Sequence, residues 1–199
     1  MSAESTVFLR EFLRTPMRTG ALLPSSARLA SAVVAPIPRR GDPVVVELGP
    51  GTGAFTAAIR QRLAGRGHQL AVELNPRLAE YTARRFTGVD VVTADAARLP
   101  AILAERGLPG ADVVVSGLPW ASFPRPVQQS ILDAIRGGLA EGGAFTTFAY
   151  SHARVLSSAR RFRRSLEAGF EEVLCGRTIW RNIPPAMVYV SRRPKGNAS

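Results

Sequence analysis

Apolar positions along the chain fall into short runs with two alternating periods. Residues 43–48 form an apolar run of strand length that ends in a glycine-rich turn. Behind the turn, Phe55, Ile59 and Leu63 recur at helical spacing. Residues 68–74 then read as a strand, and 75–86 as a helix with Pro76 in its first turn. The pattern continues with a strand over 89–95, a short helix over 99–105, and a buried strand with its exit loop over 111–120. A helix over 126–139 stops at Gly137–Gly138. A strand over 144–150 and a helix over 152–168 follow. Two β-rich pieces, 170–176 and 186–191, close the chain without a helix between them.

Alternation of this kind predicts an α/β fold: a mostly parallel, Rossmann-like sheet of about seven strands, covered by helices on both faces. The last two strands should pair as an antiparallel hairpin at one edge. Residues 1–42 do not fit the repeat and are expected to form an N-terminal unit, with the main domain over 43–199. In that unit Phe8, Leu9, Phe12, Leu13 and Met17 share one helical face, with Arg10, Glu11, Arg14 and Arg18 off it. Such a helix suits an anionic membrane surface, or a lid, or simple packing on the domain. Residues 24–34 read as a second helix with Pro24–Ser25 near its start.

Composition narrows the class. Of 199 residues, 46% are apolar, enough for a full core. No apolar run reaches membrane-spanning length, and the start has no basic leader of the secretory kind, which points to the cytoplasm. The single cysteine, Cys175, excludes an internal disulfide and a cysteine-rich metal site, so no metal is expected. Lys+Arg of 26 against Asp+Glu of 15 gives a net charge of +11, and Lys195 is the one lysine. A GC-rich genome would account for arginine over lysine but not for the excess. A field of that sign favours nucleic acid, an anionic bilayer or phosphorylated small molecules.

Candidate chemistry gathers at the strand ends. Glu47-Leu48-Gly49-Pro50-Gly51-Thr52-Gly53 sits at a strand-to-helix turn, where glycines let backbone approach a nucleotide. Glu47, just before the loop, would repel a pyrophosphate and attract a sulfonium or amino group. That tilts the ligand from a dinucleotide toward S-adenosylmethionine. Glu73 ends the next strand, 20 residues past Gly53, where a carboxylate receives ribose hydroxyls. Asp95 ends the third, in reach of an adenine amino group. Leu74 and Ala96 stand beside these two acids, and Ser116–Gly117 closes the site from the fourth strand.

Taken in order, these motifs resemble the class I S-adenosylmethionine-dependent methyltransferases, and most closely the bacterial phospholipid N-methyltransferases, relatives of the ribosomal RNA adenine dimethyltransferases. Ser116-Gly117-Leu118-Pro119-Trp120 stands where the RNA enzymes carry Asn-Leu-Pro-aromatic. Gly117 replaces the asparagine whose carbonyl accepts from the adenine amino group. Residues 8–30, where an amphipathic helix leads to Gly-x-x-x-Pro-Ser-Ser, and 179–193, with Trp-x-Asn-x-Pro-Pro-Ala, are similar to the lipid family's terminal segments. The resemblance implies the donor S-adenosyl-L-methionine, the product S-adenosyl-L-homocysteine, and N-methylation of phosphatidylethanolamine and its mono- and dimethyl forms by an enzyme peripheral to the inner face of the cell membrane. Leu118, Pro119 and Trp120, with Phe123, would flank the acceptor.

Methyl transfer to nitrogen needs an amine that is neutral when it attacks. Tyr150 and His152 follow the fifth strand and are the candidates for receiving the amine and its proton; an ordinary helix-start histidine is the plainer reading of His152. Arg177 and Arg181 precede the last strand, as a bidentate grip on a lipid phosphate or as a solvated basic edge. Arg154, Arg160, Arg161, Arg163 and Arg164 suit anionic lipid or RNA phosphates equally. Low aromatic content without basic–aromatic interleaving weighs against RNA. An RNA adenine-N6 methyltransferase, a small-molecule amine or natural-product methyltransferase, and a cofactor-binding regulator remain the alternatives.

Overall fold

The computed structural model describes residues 26–152 and 156–196. The expected helix over Phe8–Met17, the Pro24–Ser25 start and Arg154 lie outside the described residues.

Seven strands form one sheet in the order β3-β2-β1-β4-β5-β7-β6. They are β1 (Val44–Leu48), β2 (His68–Glu73), β3 (Asp90–Thr93), β4 (Ala111–Ser116), β5 (Leu139–Tyr150), β6 (Phe170–Cys175) and β7 (Ala186–Pro194). The first five are parallel; β7 runs antiparallel between β5 and β6. The terminal hairpin therefore occupies the edge where the sequence puts it, with its second strand on the inside. The helices are α1 (Ala27–Val33), α2 (Ala54–Leu63), α3 (Pro76–Arg85), α4 (Leu99–Glu105), α5 (Arg125–Gly138) and α6 (Ser157–Gly169).

Local signals explain most boundaries. Ser26 caps α1 by accepting from Leu29 N. Asn75 caps α3 from Arg77 N, with Pro76 in the first turn. Several boundaries differ from expectation: α6 starts at Ser157 rather than 152, with Ser151 and His152 in a 3₁₀ turn after β5, while β5 starts at Leu139 rather than 144, β3 ends at Thr93 rather than 95, and β7 runs to Pro194 rather than 191.

Alternation along the buried strands divides the core between two faces. Val45, Val113 and Val115 face α1 and α2, where Leu29, Val33, Ile37, Phe55 and Ile59 are buried. Val46, Leu48, Val114 and Phe145 face α4, α5 and α6, against Leu99, Ile102, Ile131 and Phe162. α1 thus shares a core with the sheet. Parallel register brings the C-terminal ends of β1 and β4 level, Leu48 opposite Ser116, and sets Ser116 opposite Thr147 of β5. β5 continues three residues farther to Tyr150, about 10 Å at the usual strand rise. This overhang forms a wall beside the strand ends.

Candidate active site

The glycine turn is shaped by close packing. Gly49, Gly51 and Gly53 all have positive φ. At Gly53 a Cβ would stand 2.3 Å from the Phe86 ring, so both conformation and space demand glycine. A Cβ on Gly51 would meet nothing within 4 Å, so the turn is open there, on the side of a ligand. Gly51 N donates to Glu73 Oε2 (3.3 Å) and Asn75 N to Glu73 Oε1 (2.9 Å). Glu73 therefore braces the turn, and each of its oxygens keeps a lone pair for a hydroxyl.

Glu47 is fully buried, and neither carboxyl oxygen has a hydrogen-bond partner. Burial pushes its carboxyl up to about 8; Thr56 on α2 opposes this and the Glu73 charge adds to it. Burial likewise raises Glu73, against the hydrogen bonds from Asn75 and Gly51. Asp95 lies two residues past β3. Its Oδ1 accepts from Ala97 N (2.9 Å), while its Oδ2 is buried without a partner. Leu74 is partly buried at the end of β2, and buried Ala96 opens the turn that Asp95 caps. Orphaned acidic oxygens beside an open glycine turn fit a ligand with a cationic centre and polar sugar and base groups, as S-adenosylmethionine has. Glu47, Glu73 and Asp95 would hold it, with the turn from Gly49 to Gly53 beneath.

The exit of β4 closes the site. Gly117 N donates to Leu48 O (3.0 Å), and a Cβ on Gly117 would stand 2.9 Å from Gly49 O and against the Phe55 ring. A side chain here would push the exit loop off the glycine turn. Leu118 lies over Gly49, with its Cδ2 where a Cβ on that glycine would fall. Ser116 Oγ accepts from Leu118 N (3.2 Å) and from the Trp120 indole (3.1 Å), Thr147 Oγ1 donates to Ser116 O (3.0 Å), and Gln128 holds Trp120 O. Pro119 leads into the short 3₁₀ turn that carries Trp120.

Trp120 and Phe123 are not where the sequence reading puts them. Trp120 is 3% exposed, its ring stacked on Phe162 of α6 (4.9 Å, 15°) and edge-on to Phe145 and Phe123. Both rings belong to the core under α4–α6, on the opposite face from Tyr150. Apolar packing and the indole hydrogen bond to Ser116 hold Trp120 there, so it supports the loop from behind.

Tyr150 is half-buried on the α1–α2 face, edge-on to Phe148 (5.5 Å) and parallel to the exposed His152 ring (5.8 Å, 14°). Burial raises its phenol, which therefore stays neutral near pH 7. Arg177 and Arg181 are exposed on the segment between β6 and β7. Ser151 N donates to Pro185 O (2.7 Å), tying that segment to the end of β5. The structure thus gathers Glu47, Glu73, Asp95, the glycine turn and Gly117–Leu118 at one set of strand ends, with Tyr150 and His152 on the overhanging wall. Pattern reading missed Thr56, Phe86, Gln128 and Thr147, because each acts across elements with no local signature. Asn182 was legible only inside the Trp-x-Asn-x-Pro-Pro run.

A methyltransferase domain profile matches residues 45–143. The ornithine lipid N-methyltransferase of Singulisphaera acidiphila is 34% identical over 192 residues, 95% of this chain and 96% of that one. The chain is a class I S-adenosylmethionine-dependent methyltransferase related to lipid N-methyltransferases. Its methyl donor is S-adenosylmethionine and its product S-adenosylhomocysteine. Solved methyltransferase structures share the fold. The precorrin-6y C5,15-methyltransferase of Geobacter metallireducens superposes with a TM-score of 0.62 at 18% identity, covering 88% of this chain and 93% of that one. TrmN of Thermus thermophilus gives 0.64 at 19% identity, covering 92% and 52%. At such identity these two speak for the fold alone.

Proposed function

We propose that this methyltransferase transfers methyl groups to the amino head group of a membrane lipid, working at the surface of an anionic bilayer. The observation that carries the reading is the near full-length similarity to an ornithine lipid N-methyltransferase. Gly117 supports it, since the close approach to Gly49 O excludes the asparagine that adenine-modifying relatives use. Phosphatidylethanolamine, with its mono- and dimethyl forms, and amino-acid lipids of the ornithine type are the two acceptor classes that share this chemistry.

S-adenosylmethionine supplies an electrophilic methyl group on a sulfonium and needs no protonation to leave. The protein's part is to align the amine with that methyl, a contribution of roughly 7–11 kcal/mol in favourable cases. The neutral Tyr150 phenol accepts a hydrogen bond from the amine and offers its ring to the methylated, cationic product. His152, stacked on Tyr150 and open to solvent, takes the proton that the ammonium must lose first. Arg177 and Arg181 face the lipid's anionic group, within an acid-free run that extends from Val173 to the end of the chain. Methyl transfer from labelled donor to vesicles of either aminolipid, followed by mass analysis of the extracted lipid, tests this. Mass gain at the amine supports it, and label in RNA alone or in neither overturns it.

A further inference from the structure

Among the described residues five large apolar side chains are exposed: Tyr81, Leu156, Leu174, Trp180 and Ile183. Four of them lie in the last third of the fold, near the C-terminal ends of β5 and β6. Leu156 leads into α6 just beyond the end of β5, Leu174 is next to last in β6, and Trp180 and Ile183 lie on the arch 176–185 between β6 and β7. β6 runs parallel to β5, so the arch that carries Trp180 and Ile183 lies at the strand-end edge that carries Tyr150.

The arch is built rather than slack. Ile179 N donates to Ala186 O (2.7 Å), and Ser151 N to Pro185 O (2.7 Å). Asn182 is buried; its Nδ2 donates to Pro184 O (2.6 Å) and its Oδ1 accepts from Ser26 N (2.9 Å). Held this way, Trp180 is 77% exposed and Ile183 73%, with Arg177 and Arg181 alongside. An indole and an aliphatic side chain held in water on a rigid arch, flanked by guanidinium groups, match the interfacial layer of a membrane, where rings sit at headgroup level and arginines meet phosphate. Charge points the same way. Residues 142–199 carry ten basic and three acidic residues, and no acid lies between Gly142 and Leu166 or beyond Glu172. The Ser26–Asn182 bond also ties the start of α1 to this arch.

We propose that the 176–185 arch is a membrane wedge: Trp180 and Ile183 enter the interfacial layer of an anionic bilayer, Arg177 and Arg181 meet its phosphates, and the Tyr150 wall faces the lipid amines. The proposal rests on the lipid reading above and adds the surface by which the site reaches its substrate.

Trp120 is buried in the core, so the two tryptophans report separately, and Trp180→Phe identifies the exposed one. The full chain is mixed with phosphatidylglycerol–phosphatidylethanolamine vesicles whose acyl chains are brominated near the headgroup. Bromine should quench the Trp180 share of the emission, and the quenching should vanish in Trp180→Phe. Trp180→Ala with Ile183→Ala should weaken vesicle binding by at least ~10-fold. That variant should keep methyl transfer to a short-chain, monomeric aminolipid and the wild-type melting temperature. Vesicle binding without quenching of Trp180 overturns the wedge. So does failure of acrylamide to reach Trp180 without vesicles, which would mean that the chain's own N-terminal stretch or a second copy covers it. Quenching without transfer to any aminolipid keeps the wedge and removes the amine reading; transfer without quenching does the reverse.

Discussion

The two halves of the sheet edge hold opposite chemistry. On the β1–β3 side, three carboxylates crowd a glycine turn inside a strongly cationic protein, and two of them keep buried oxygens without partners. On the β5–β7–β6 side, the edge is free of acids, rich in arginine and studded with exposed apolar groups. The first half is a cluster of buried acids suited to a cation; the second is an open surface suited to an anionic partner. One face of a protein can hold both because burial confines each field: the buried carboxylates act within a few ångströms, whereas the arginines act through water.

The contrast can be broken most violently at the glycine turn. Gly53→Ala puts a Cβ into Phe86 at positive φ and should cost about 2–4 kcal/mol, read as a lower denaturation midpoint and loss of donor binding. Gly117→Asn forces the exit loop from Gly49 O and should abolish donor binding without creating RNA adenine methylation, measured by calorimetry and by label transfer. Recovered RNA activity in that variant would remove the steric argument.

Glu47 gives the next effect. Its carboxyl is raised from about 4.5 unfolded to about 8 folded, so the folded state holds the proton more tightly. Below the lower value it contributes no pH dependence. Between the two the ligand-free protein loses stability as pH rises, with a ceiling of roughly 4–5 kcal/mol that is fully felt above 8. Glu47→Gln should flatten this slope in denaturant melts and stabilise the ligand-free protein at pH 8. If the ionised carboxylate meets the donor's cation, donor affinity should fall by up to ~10-fold per pH unit below 8, and the glutamine variant should bind weakly at every pH. A wild-type affinity flat from pH 6 to 8 contradicts that contact.

Smaller effects lie on the acceptor side. Tyr150→Phe should lower kcat by roughly 10-fold with donor affinity unchanged, and His152→Asn should lower kcat by a smaller factor, measured by label transfer to aminolipid vesicles. Arg160, Arg163 and Arg164 are exposed along α6. Replacing all three with Gln should weaken binding to anionic vesicles by about 1 kcal/mol per residue and reduce its salt dependence, read by vesicle sedimentation.

The same contrast explains what the sequence revealed. The donor half was legible because its chemistry is local: Glu47, the glycines, Glu73 and Asp95 each sit at or just past the end of a strand whose apolar run is plain in the chain. Even the short helix α4 was readable at its full span, Leu99–Glu105. The acceptor half is assembled from distant segments. Trp120 followed a motif that suggested contact with substrate, yet core packing against Phe162, forty-two residues away, drew it to the other face. The late start of α6 was hidden because Leu156, at its N-cap, supplies no capping side chain to mark the boundary. The arch around Trp180 was visible as a motif, but its exposure is a property of the tertiary ties at Asn182 and Ser151.

The central claim is that one site takes a methyl group from S-adenosylmethionine to the amine of a membrane lipid. The most direct test gives the purified full-length protein labelled donor together with aminolipid vesicles and total RNA in the same tube. The account predicts label in the lipid extract, located on the headgroup nitrogen, and none in RNA. Label in the RNA, or lipid that stays unmethylated while the donor is bound, would contradict it.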